Sequence, residues 1–266
     1  MIKKSKKPHG YRGSSSDGAR DKKLAGHKAE DYFAKLIGTY PDGVIPGQGK
    51  PDVTDKNGDN HTVKSAKIKW QIFLYTRGNF ERWLPMNGVR KLLLECIDAF
   101  PDEYRTYAAD KKKYKEKLRS PMRDLKDKLC DPDTLKLFLS KSMFDDEKCK
   151  YLTVLEGEKF HVFHKDDVLE IMCKNLTVKN AKGVAVFPAG EQKVLLVHNT
   201  NVGEVEMRNE LTKGGDAKKY KLIRFNMYQP RILKLLFGHD KRYSPFPYSE
   251  KVIRHGKAIE IGRAHV

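Results

Sequence analysis

The expected fold depends on one stretch of the chain, Pro51-Asp52-Val53-Thr54-Asp55-Lys56-Asn57-Gly58-Asp59-Asn60-His61-Thr62-Val63-Lys64-Ser65. Asn57-Gly58 is a strong signal for a tight hairpin turn, and it separates two short runs that contain β-branched residues. The stretch therefore predicts a β-hairpin. Side chains alternate along a strand, so Thr62 and Lys64 share one face and Val63 points the other way, toward a core.

Helices are predicted on both sides of this hairpin. Residues 21–37 carry an apolar stripe at helical spacing, and Gly38 and Pro41 end that helix. Residues 69–75 follow the hairpin, and we interpret them as the start of a helix packed on the sheet. Further helices are predicted over three ranges: 87–100, 102–131 with a break near Pro121, and 132–147.

From about residue 150 the pattern changes to short alternating segments. Strands are predicted at 151–154, 160–163, 184–187, 193–198, 202–208 and 221–227, with helices at 166–173 and 230–237. The fold class expected is α/β (α+β): a central mixed sheet flanked by helices in the N-terminal part, and a β-rich C-terminal module. The expected parts are a flexible basic arm (1–23), a core with a helical insert (24–149) and the β-rich part (150–259).

The last seven residues, 260–266, read EIGRAHV, which is the translation of a common sequencing-adapter DNA in the codons GAG ATC GGA AGA GCA CAC GTC. We expect this tail to be an artefact and exclude it from the fold prediction, so the native chain would diverge after about Ile259.

Charge narrows the function classes. The formal net charge is +18 and the isoelectric point about 9.6, which is typical of proteins that bind a polyanion. Residues 1–28 hold nine Lys/Arg and two Asp, and residues 212–257 hold twelve Lys/Arg and three acids. The hydrophobic fraction of 39% argues against a disordered chain.

The sequence shows neither a membrane or secretion signal nor a cysteine pattern for metal binding. No apolar run approaches a membrane span, and the basic N-terminus lacks the apolar segment of a secretion signal. The four cysteines are too widely spaced for a zinc site, so we expect reduced thiols in or near the core and a cytoplasmic protein.

The hairpin also carries the residue types that phosphodiester hydrolysis needs. Carboxylates hold a divalent metal against a phosphate, and a cation offsets the charge that builds on phosphorus. Asp52 supplies an acid on one strand, Lys64 supplies the cation on the other, and the carbonyl of Val63 can reach a metal.

Four segments in order resemble the PD-(D/E)XK nuclease superfamily. Gly26-His27-Lys28-Ala29-Glu30 resembles its first-helix signature, in which a glutamate points into the active site. Pro51-Asp52 resembles its "PD", and Thr62-Val63-Lys64-Ser65 resembles its "(D/E)XK" strand. Gln71-Ile72-Phe73-Leu74-Tyr75 resembles the QxxxY motif of its RecB-like branches. The resemblance covers roughly residues 24–75, and the overall character is most similar to type II restriction endonucleases.

The sequence departs from the superfamily pattern at Thr62, which stands where Asp or Glu is expected. A hydroxyl is a weaker Mg²⁺ ligand than a carboxylate. Glu30 is the first candidate to replace the acid, and Asp55, Asp59 and Glu81 are lesser ones. A second registration, with Ser65 and Lys67 in place of Thr62 and Lys64, stays open; we prefer Lys64 because Val63 then falls inward.

The resemblance implies roles for these residues. Asp52, with Glu30 and the Val63 carbonyl, would hold Mg²⁺. Lys64 would orient the attacking water and neutralise charge, and Thr62 would occupy the acid position. Gln71 and Tyr75 would shape the site or touch the DNA backbone, as would Lys67. The implied reaction is phosphodiester hydrolysis that leaves a 5′-phosphate.

The C-terminal half offers a DNA-reading surface. Arg224 and Asn226 share a strand face, and these residue types suit guanine and adenine edges. Lys213, Lys218 and Lys219 suit phosphate contacts. A second catalytic centre at Glu204 and Glu206 is a lesser hypothesis, and His161 and His164 look like strand and turn residues.

The expected function is thus a metal-dependent DNA endonuclease, most like a type II restriction enzyme. Its expected partners are double-stranded DNA and a cognate methyltransferase encoded nearby, and palindromic cutting would favour a homodimer. The alternatives are a non-catalytic nucleic-acid-binding protein with a degenerate site, and a DNA repair or junction nuclease.

Overall fold

The computed structural model describes residues 16–46, 51–83, 87–145, 148–181, 192–208, 220–239, 241–247 and 249–261; side chains are described from residue 24 onward. Lys213, Lys218, Lys219 and the strand predicted at 184–187 lie outside these ranges. Within the described ranges, no helix combines the length and apolar character needed to span a bilayer.

The described elements form an α/β fold that is rich in strands toward the C-terminus. The helices are α1 (Ser16–Ile37), α2 (Arg77–Glu81), α3 (Val89–Asp98), α4 (Tyr104–Ala109), α5 (Lys111–Lys117), α6 (Arg119–Leu129), α7 (Pro132–Leu139), α8 (Lys165–Asn175) and α9 (Gln229–His239). The strands are β1 (Val53–Thr54), β2 (Asn60–Lys64), β3 (Lys69–Tyr75), β4 (Tyr151–Glu156), β5 (Lys159–His164), β6 (Thr177–Asn180), β7 (Lys193–His198), β8 (Thr200–Arg208), β9 (Leu222–Tyr228), β10 (Tyr243–Phe246) and β11 (Ser249–His255). A π-helical turn follows α7 at Ser140–Phe144, and a 3-10 turn follows β11 at Gly256–Glu260.

The strands make two sheets. The first is mixed, in the order β1-β2-β4-β5-β11-β10, with β2 parallel to β4 and β5 parallel to β11. The second is antiparallel throughout, in the order β3-β9-β8-β7-β6. Each sheet combines strands from both sides of the boundary predicted near residue 150, so that boundary does not separate two structural units.

The predicted hairpin is confirmed. Val53 pairs with His61 and Thr54 with Asn60 in antiparallel register, and the turn places Gly58 at a φ of 81°, which glycine adopts without steric cost. Strand β1 itself begins at Val53, and the pairing extends one residue earlier because the Asp52 amide donates to the His61 carbonyl at 2.9 Å.

Two apolar clusters hold the layers together. The smaller one lies between α1 and the first sheet, where Phe33, Val63 and Phe160 are buried. The larger one joins the other face of that sheet to the second sheet and to most of the remaining helices, around residues such as Phe138 and Phe225. The first sheet is therefore covered on both faces, as is usual for sheets that contain parallel strand pairs.

Two local predictions were wrong. Residues 69–75 form β3 rather than the start of a helix, because β9, far away in sequence, supplies antiparallel pairing along the whole segment. The lysine-rich segment breaks at two positions, Asp110 and Leu118, rather than once near Pro121. Pro121 lies in the first turn of α6, where its missing N–H leaves no helical bond unmade.

The expected artefact tail contributes to the fold in part. Ile261 is 4% exposed and belongs to the smaller cluster, and its carbonyl accepts a hydrogen bond from the buried guanidinium of Arg254. Residues 262–266 lie outside the described ranges.

The cysteines match the expectation of unpaired thiols. Cys96 and Cys149 are buried, Cys173 is half-buried and Cys130 is exposed. Burial raises the pKa of Cys173 to about 11, so this thiol is poorly reactive at neutral pH.

Candidate active site

The residues predicted to form the site converge around one carboxylate oxygen. Asp52 Oδ2 accepts a hydrogen bond from the Val63 amide at 2.6 Å and lies 3.4 Å from Lys64 Nζ. Lys64 Nζ also donates to the Val63 carbonyl at 2.9 Å. The two side chains are only 13% and 17% exposed, so the ion pair is shielded from bulk water while an opening remains. The hairpin thus brings an acid and a lysine from adjacent strands into one pocket.

Thr62 lies between these two charged groups. Its hydroxyl donates to Asp52 Oδ2 at 3.3 Å and accepts from Lys64 Nζ at 2.7 Å, and the residue is fully buried. A hydroxyl both donates and accepts, so it can bridge a carboxylate and an ammonium group without adding charge. Thr62 therefore occupies the acid position of the motif as a neutral spacer.

Glu30 reaches the site from α1. Partial burial raises the pKa of its carboxyl; a hydrogen bond from His27 works against that rise, and the negative charge of Asp52 adds to it. The positive charge of Lys64 also acts on this carboxyl. Glu30 therefore lies close enough for the charges of Asp52 and Lys64 to act on its carboxyl.

His27 is a residue of this site that the sequence argument did not single out. Its Nδ1 lies 3.0 Å from Glu30 Oε2, and its side chain is 44% exposed. The i, i+3 spacing of His27 and Glu30 on a helix was the signal that could have paired them.

The donor set fits a magnesium site. Mg²⁺ is commonly held by one or two carboxylates and keeps several of its waters. Asp52, Glu30 and the Val63 carbonyl offer such a set; burial is the main reason why the pKa of Glu30 is raised, and the charge of Asp52 adds a smaller part that a cation would offset. Among the described residues no group of three or more His, Cys, Asp and Glu side chains is arranged for metal binding, so backbone and water ligands would complete the shell.

The lesser acid candidates are engaged elsewhere. Asp55 is buried, lies 3.6 Å from His61 Nε2, and accepts hydrogen bonds from the amides of Asn57 and Asp59. Asp59 contacts Lys150, and Glu81 contacts Arg77 at the surface. In these contacts none of the three acids meets Asp52. Glu30 therefore remains the candidate for the second acid beside Asp52.

The alternative registration is not favoured by the geometry. Strand β2 ends at Lys64, and Lys67 lies beyond it in the connector to β3, where it is exposed. Only Lys64 of these two lysines contacts Asp52. Lys67 is accessible to a ligand, as its predicted role in DNA binding requires.

The QxxxY residues lie outside this pocket. Gln71 is exposed on β3 in the second sheet, opposite Asn226. Tyr75 is half-buried and stacks on Phe73 with ring centroids 4.6 Å apart, next to Phe80 and Trp83. We therefore correct both roles: Gln71 does not join the catalytic group, and Tyr75 packs against the larger core.

The predicted base-reading pair is also constrained. Asn226 is only 2% exposed, and Arg224 forms an ion pair with Glu206. Neither side chain projects freely from the sheet as direct base contact requires. Glu204 and Glu206, the hypothetical second centre, are held by cations: Lys69 and Lys193 contact Glu204, and Lys193 and Arg224 contact Glu206.

The two histidines noted in the sequence, His161 and His164, have structural roles. His161 lies on β5 with its Nδ1 3.0 Å from His255 Nε2, and burial lowers the pKa of both imidazoles to about 4. His164 is the N-cap of α8, where its Nδ1 accepts from the Asp166 amide at 3.2 Å. Both therefore behave as the strand and turn residues that were expected.

No protein-family model, no curated protein and no solved structure matches this chain.

Proposed function

We propose that this protein is a metal-dependent DNA endonuclease of the PD-(D/E)XK type, a type II restriction enzyme acting in the cytoplasm. The single observation that carries the proposal is the convergence on Asp52 Oδ2: the Lys64 ammonium lies 3.4 Å away, the Thr62 hydroxyl 3.3 Å away, and the Glu30 carboxyl is within electrostatic range. The net charge of +18 supports a polyanionic substrate.

Each residue has a role that follows from its surroundings. Asp52 and Glu30, with the Val63 carbonyl, would hold Mg²⁺. A bound Mg²⁺ would supply charge neutralisation and would orient a water molecule and make it more acidic than bulk water.

Lys64 is fixed by three acceptors, so its ammonium group is preorganised before a substrate arrives. It would exchange one of these acceptors for an oxygen of the scissile phosphate and offset the charge that develops there. Asp52 holds that lysine in place, and the short hydrogen bond from the Val63 amide orients the Asp52 carboxylate.

The experiment is plasmid cleavage by the purified chain with and without Mg²⁺. Discrete fragments support a restriction enzyme, and a smear supports a non-specific nuclease. Cutting confined to branched duplexes would support a repair or junction nuclease. Asp52→Asn and Lys64→Ala should each lower cleavage by at least about a hundredfold, since each removes preorganised charge at the reacting phosphate.

The matched controls are Asp59→Asn, at a partly exposed position, and Lys91→Ala, at an exposed one; they remove the same charges away from Asp52 and Lys64. They should cut like the wild type. Equal losses in the controls, or full activity in Asp52→Asn and Lys64→Ala, would refute the catalytic assignment.

A second candidate function is a non-catalytic nucleic-acid-binding protein. The observation that favours it is Thr62, whose neutral hydroxyl fills the position where the motif has an acid. DNA binding in EDTA combined with no Mg²⁺-dependent cleavage of any duplex would support this function instead.

A further inference from the structure

The second sheet carries a set of interlocked charges that the proposed reaction does not use. Its members alternate along their strands with buried residues of the larger core, so they lie on the opposite face of the sheet. We call this set the outer ion array; it consists of Lys69, Lys193, Glu204, Glu206 and Arg224.

The carboxylates lie at the base of the array and the cations lie above them. Glu204 accepts from Lys69 Nζ at 2.5 Å and from Lys193 Nζ at 3.2 Å. Glu206 contacts Lys193 Nζ at 2.5 Å and also Arg224. The two glutamate side chains are 6% and 9% exposed, whereas Lys69, Lys193 and Arg224 are 28%, 38% and 24% exposed. The face that meets solvent is therefore cationic.

The array has more hydrogen-bond donors than acceptors. Burial raises the pKa of Glu204, but the two lysines outweigh burial and hold the pKa below its ordinary value, so this carboxylate is charged at neutral pH. Even so, three cations face two carboxylates. The Nε of Arg224 and the Nδ2 of Asn226, which lies opposite Glu204, have no acceptor among the described residues, but both atoms are buried and out of reach of a ligand. The accessible surplus is therefore the one positive charge by which the partly exposed cations exceed the carboxylates, and an anionic ligand would match it.

The carboxylates also reduce the conformational entropy that the lysine side chains lose when they bind an anion. A free surface lysine loses rotamer freedom when it meets an anion, whereas Lys69 and Lys193 are already held in one geometry. Lysine and arginine side chains make their strongest hydrogen bonds to oxyanions. The oxyanion that DNA presents is the backbone phosphate, so phosphate rather than a base edge is the expected ligand.

The array lies near the proposed active site along the chain. Lys69 follows Lys64 by five residues, so their Cα atoms are at most about 18 Å apart. The connector between them is fixed: Trp70 Nε1 donates to the Ala66 carbonyl at 3.1 Å and the Gln229 amide to the Ile68 carbonyl at 3.2 Å. The site and the array are therefore close enough along the chain to be tested as contacts of one DNA duplex.

We propose that the outer ion array binds phosphates of the same DNA duplex on the flank of the bond to be cut. This inference rests on the proposed function. Phosphate contacts fix the register and orientation of a protein on DNA without reading sequence, so the array positions the scissile phosphate over Asp52 and Lys64. Arg224 then serves as a phosphate contact held by Glu206, in place of the base contact expected from the sequence.

The test is the salt dependence of DNA binding by Lys193→Gln, measured in EDTA on a 30-base-pair duplex. Each carboxylate keeps one cation in this variant, Lys69 on Glu204 and Arg224 on Glu206, so the fold should persist. Each phosphate contact contributes about 0.9 to the slope of log K against log salt. The slope should fall by about that amount, and affinity should fall similarly on unrelated sequences. Lys69→Gln should give the same result. Agreement between the two variants would show that the change in slope does not come from altered packing in Lys193→Gln alone.

The matched control is Lys91→Gln, which removes an equally charged lysine that is 81% exposed on α3. Ethylation of backbone phosphates gives a second readout: one interference signal in the wild type should disappear in Lys193→Gln and persist in the control. Equal slopes in all three lysine variants and the wild type, or a lowered melting temperature with an unchanged slope, would overturn the inference.

The failure of this inference is separable from that of the proposed function. If the wild type cuts DNA with Mg²⁺ and the slope is unchanged in Lys193→Gln, the array is a structural ion network and the nuclease assignment stands. If the slope falls only in the array variants but no duplex is cut, the array binds DNA and the nuclease assignment fails.

Discussion

The hydroxyl of Thr62 donates a hydrogen bond to Asp52 Oδ2 at 3.3 Å while it accepts one from Lys64 Nζ at 2.7 Å. A threonine side chain thereby spans the gap between a carboxylate and an ammonium group that a second acid would otherwise fill. The arrangement keeps the lysine in place, and under the proposed function it leaves the charge that would hold Mg²⁺ to Asp52 and Glu30.

Thr62→Asp should strengthen metal binding. It would add a third carboxylate next to Asp52, and Mg²⁺ affinity rises with the number of charged oxygen ligands. We expect the Mg²⁺ concentration for half-maximal cleavage to fall about tenfold or more in a metal titration. Thr62→Val, which has nearly the same shape and no hydroxyl, should leave that concentration unchanged and lower the cleavage rate, because Lys64 loses an acceptor. A higher Mg²⁺ requirement in Thr62→Asp would contradict the placement of the metal here.

The pH profile of cleavage should report on Glu30. Burial is the main reason why its pKa is raised, and the His27 hydrogen bond partly offsets that rise. A protonated carboxyl binds metal poorly, so activity should fall as pH drops through this raised pKa. His27→Ala removes the offsetting hydrogen bond, and the acid limb should move to higher pH. In His27→Gln the amide can still donate, so the limb should move less; an unmoved limb in His27→Ala would exclude Glu30 from the metal site.

The hairpin turn should depend on Asp55 for stability. Its carboxylate is buried beside His61 and accepts from the amides of Asn57 and Asp59. Asp55→Ala leaves the buried His61 ring without its acidic neighbour and the Asn57 and Asp59 amides without their acceptor, which should cost about 1–3 kcal/mol of unfolding free energy in denaturant titrations. Asp59→Ala, which removes a half-exposed surface pair with Lys150, should cost less than about 1 kcal/mol. Equal losses would show that the buried cluster has no special role.

The same carboxyl has a defined pH dependence. Burial raises the pKa of Asp55, but the hydrogen bond and charge of His61 and the amides of Asp59 and Asn57 together lower it below its usual value. A lowered pKa means that the stabilisation is complete above the unfolded-state pKa and is lost as pH falls through the folded-state pKa.

The His161–His255 pair should make the fold acid-sensitive at a higher pH. Burial lowers the pKa of both to about 4, so the unfolded chain binds more protons than the folded chain between about pH 4 and 6.5. Unfolding free energy should therefore decrease as pH falls through that window, by at most roughly 3 kcal/mol per histidine.

The variant for this pair is His255→Phe, which keeps an aromatic ring against Phe163 and cannot be protonated. The slope of unfolding free energy against pH should become shallower in this variant. His239→Gln, at an exposed position of α9, should keep the wild-type slope. A wild-type slope in His255→Phe would mean that the pair does not govern acid sensitivity.

The sequence by itself determined the hairpin and the pocket that it builds. Asn57-Gly58 fixes the turn and so the register of the two strands, and the register fixes which side chains share a face. The closeness of Asp52, Thr62 and Lys64 follows from these local rules alone. Most strands after residue 150 were also predictable, since their alternation of apolar and polar residues is a local signal.

Only the tertiary structure decided which strands meet. Residues 69–75 are a strand because β9 pairs with them, and no pattern inside that segment reveals its partner. The outer ion array depends on the same long-range pairing, which places Lys69, Lys193, Glu204 and Arg224 from four strands side by side. Burial of Asn226 and the pairing of Arg224 with Glu206 likewise arise from neighbours that are distant along the chain. Local sequence specifies turns and strand faces, whereas contacts between strands are set by the packing of the whole chain.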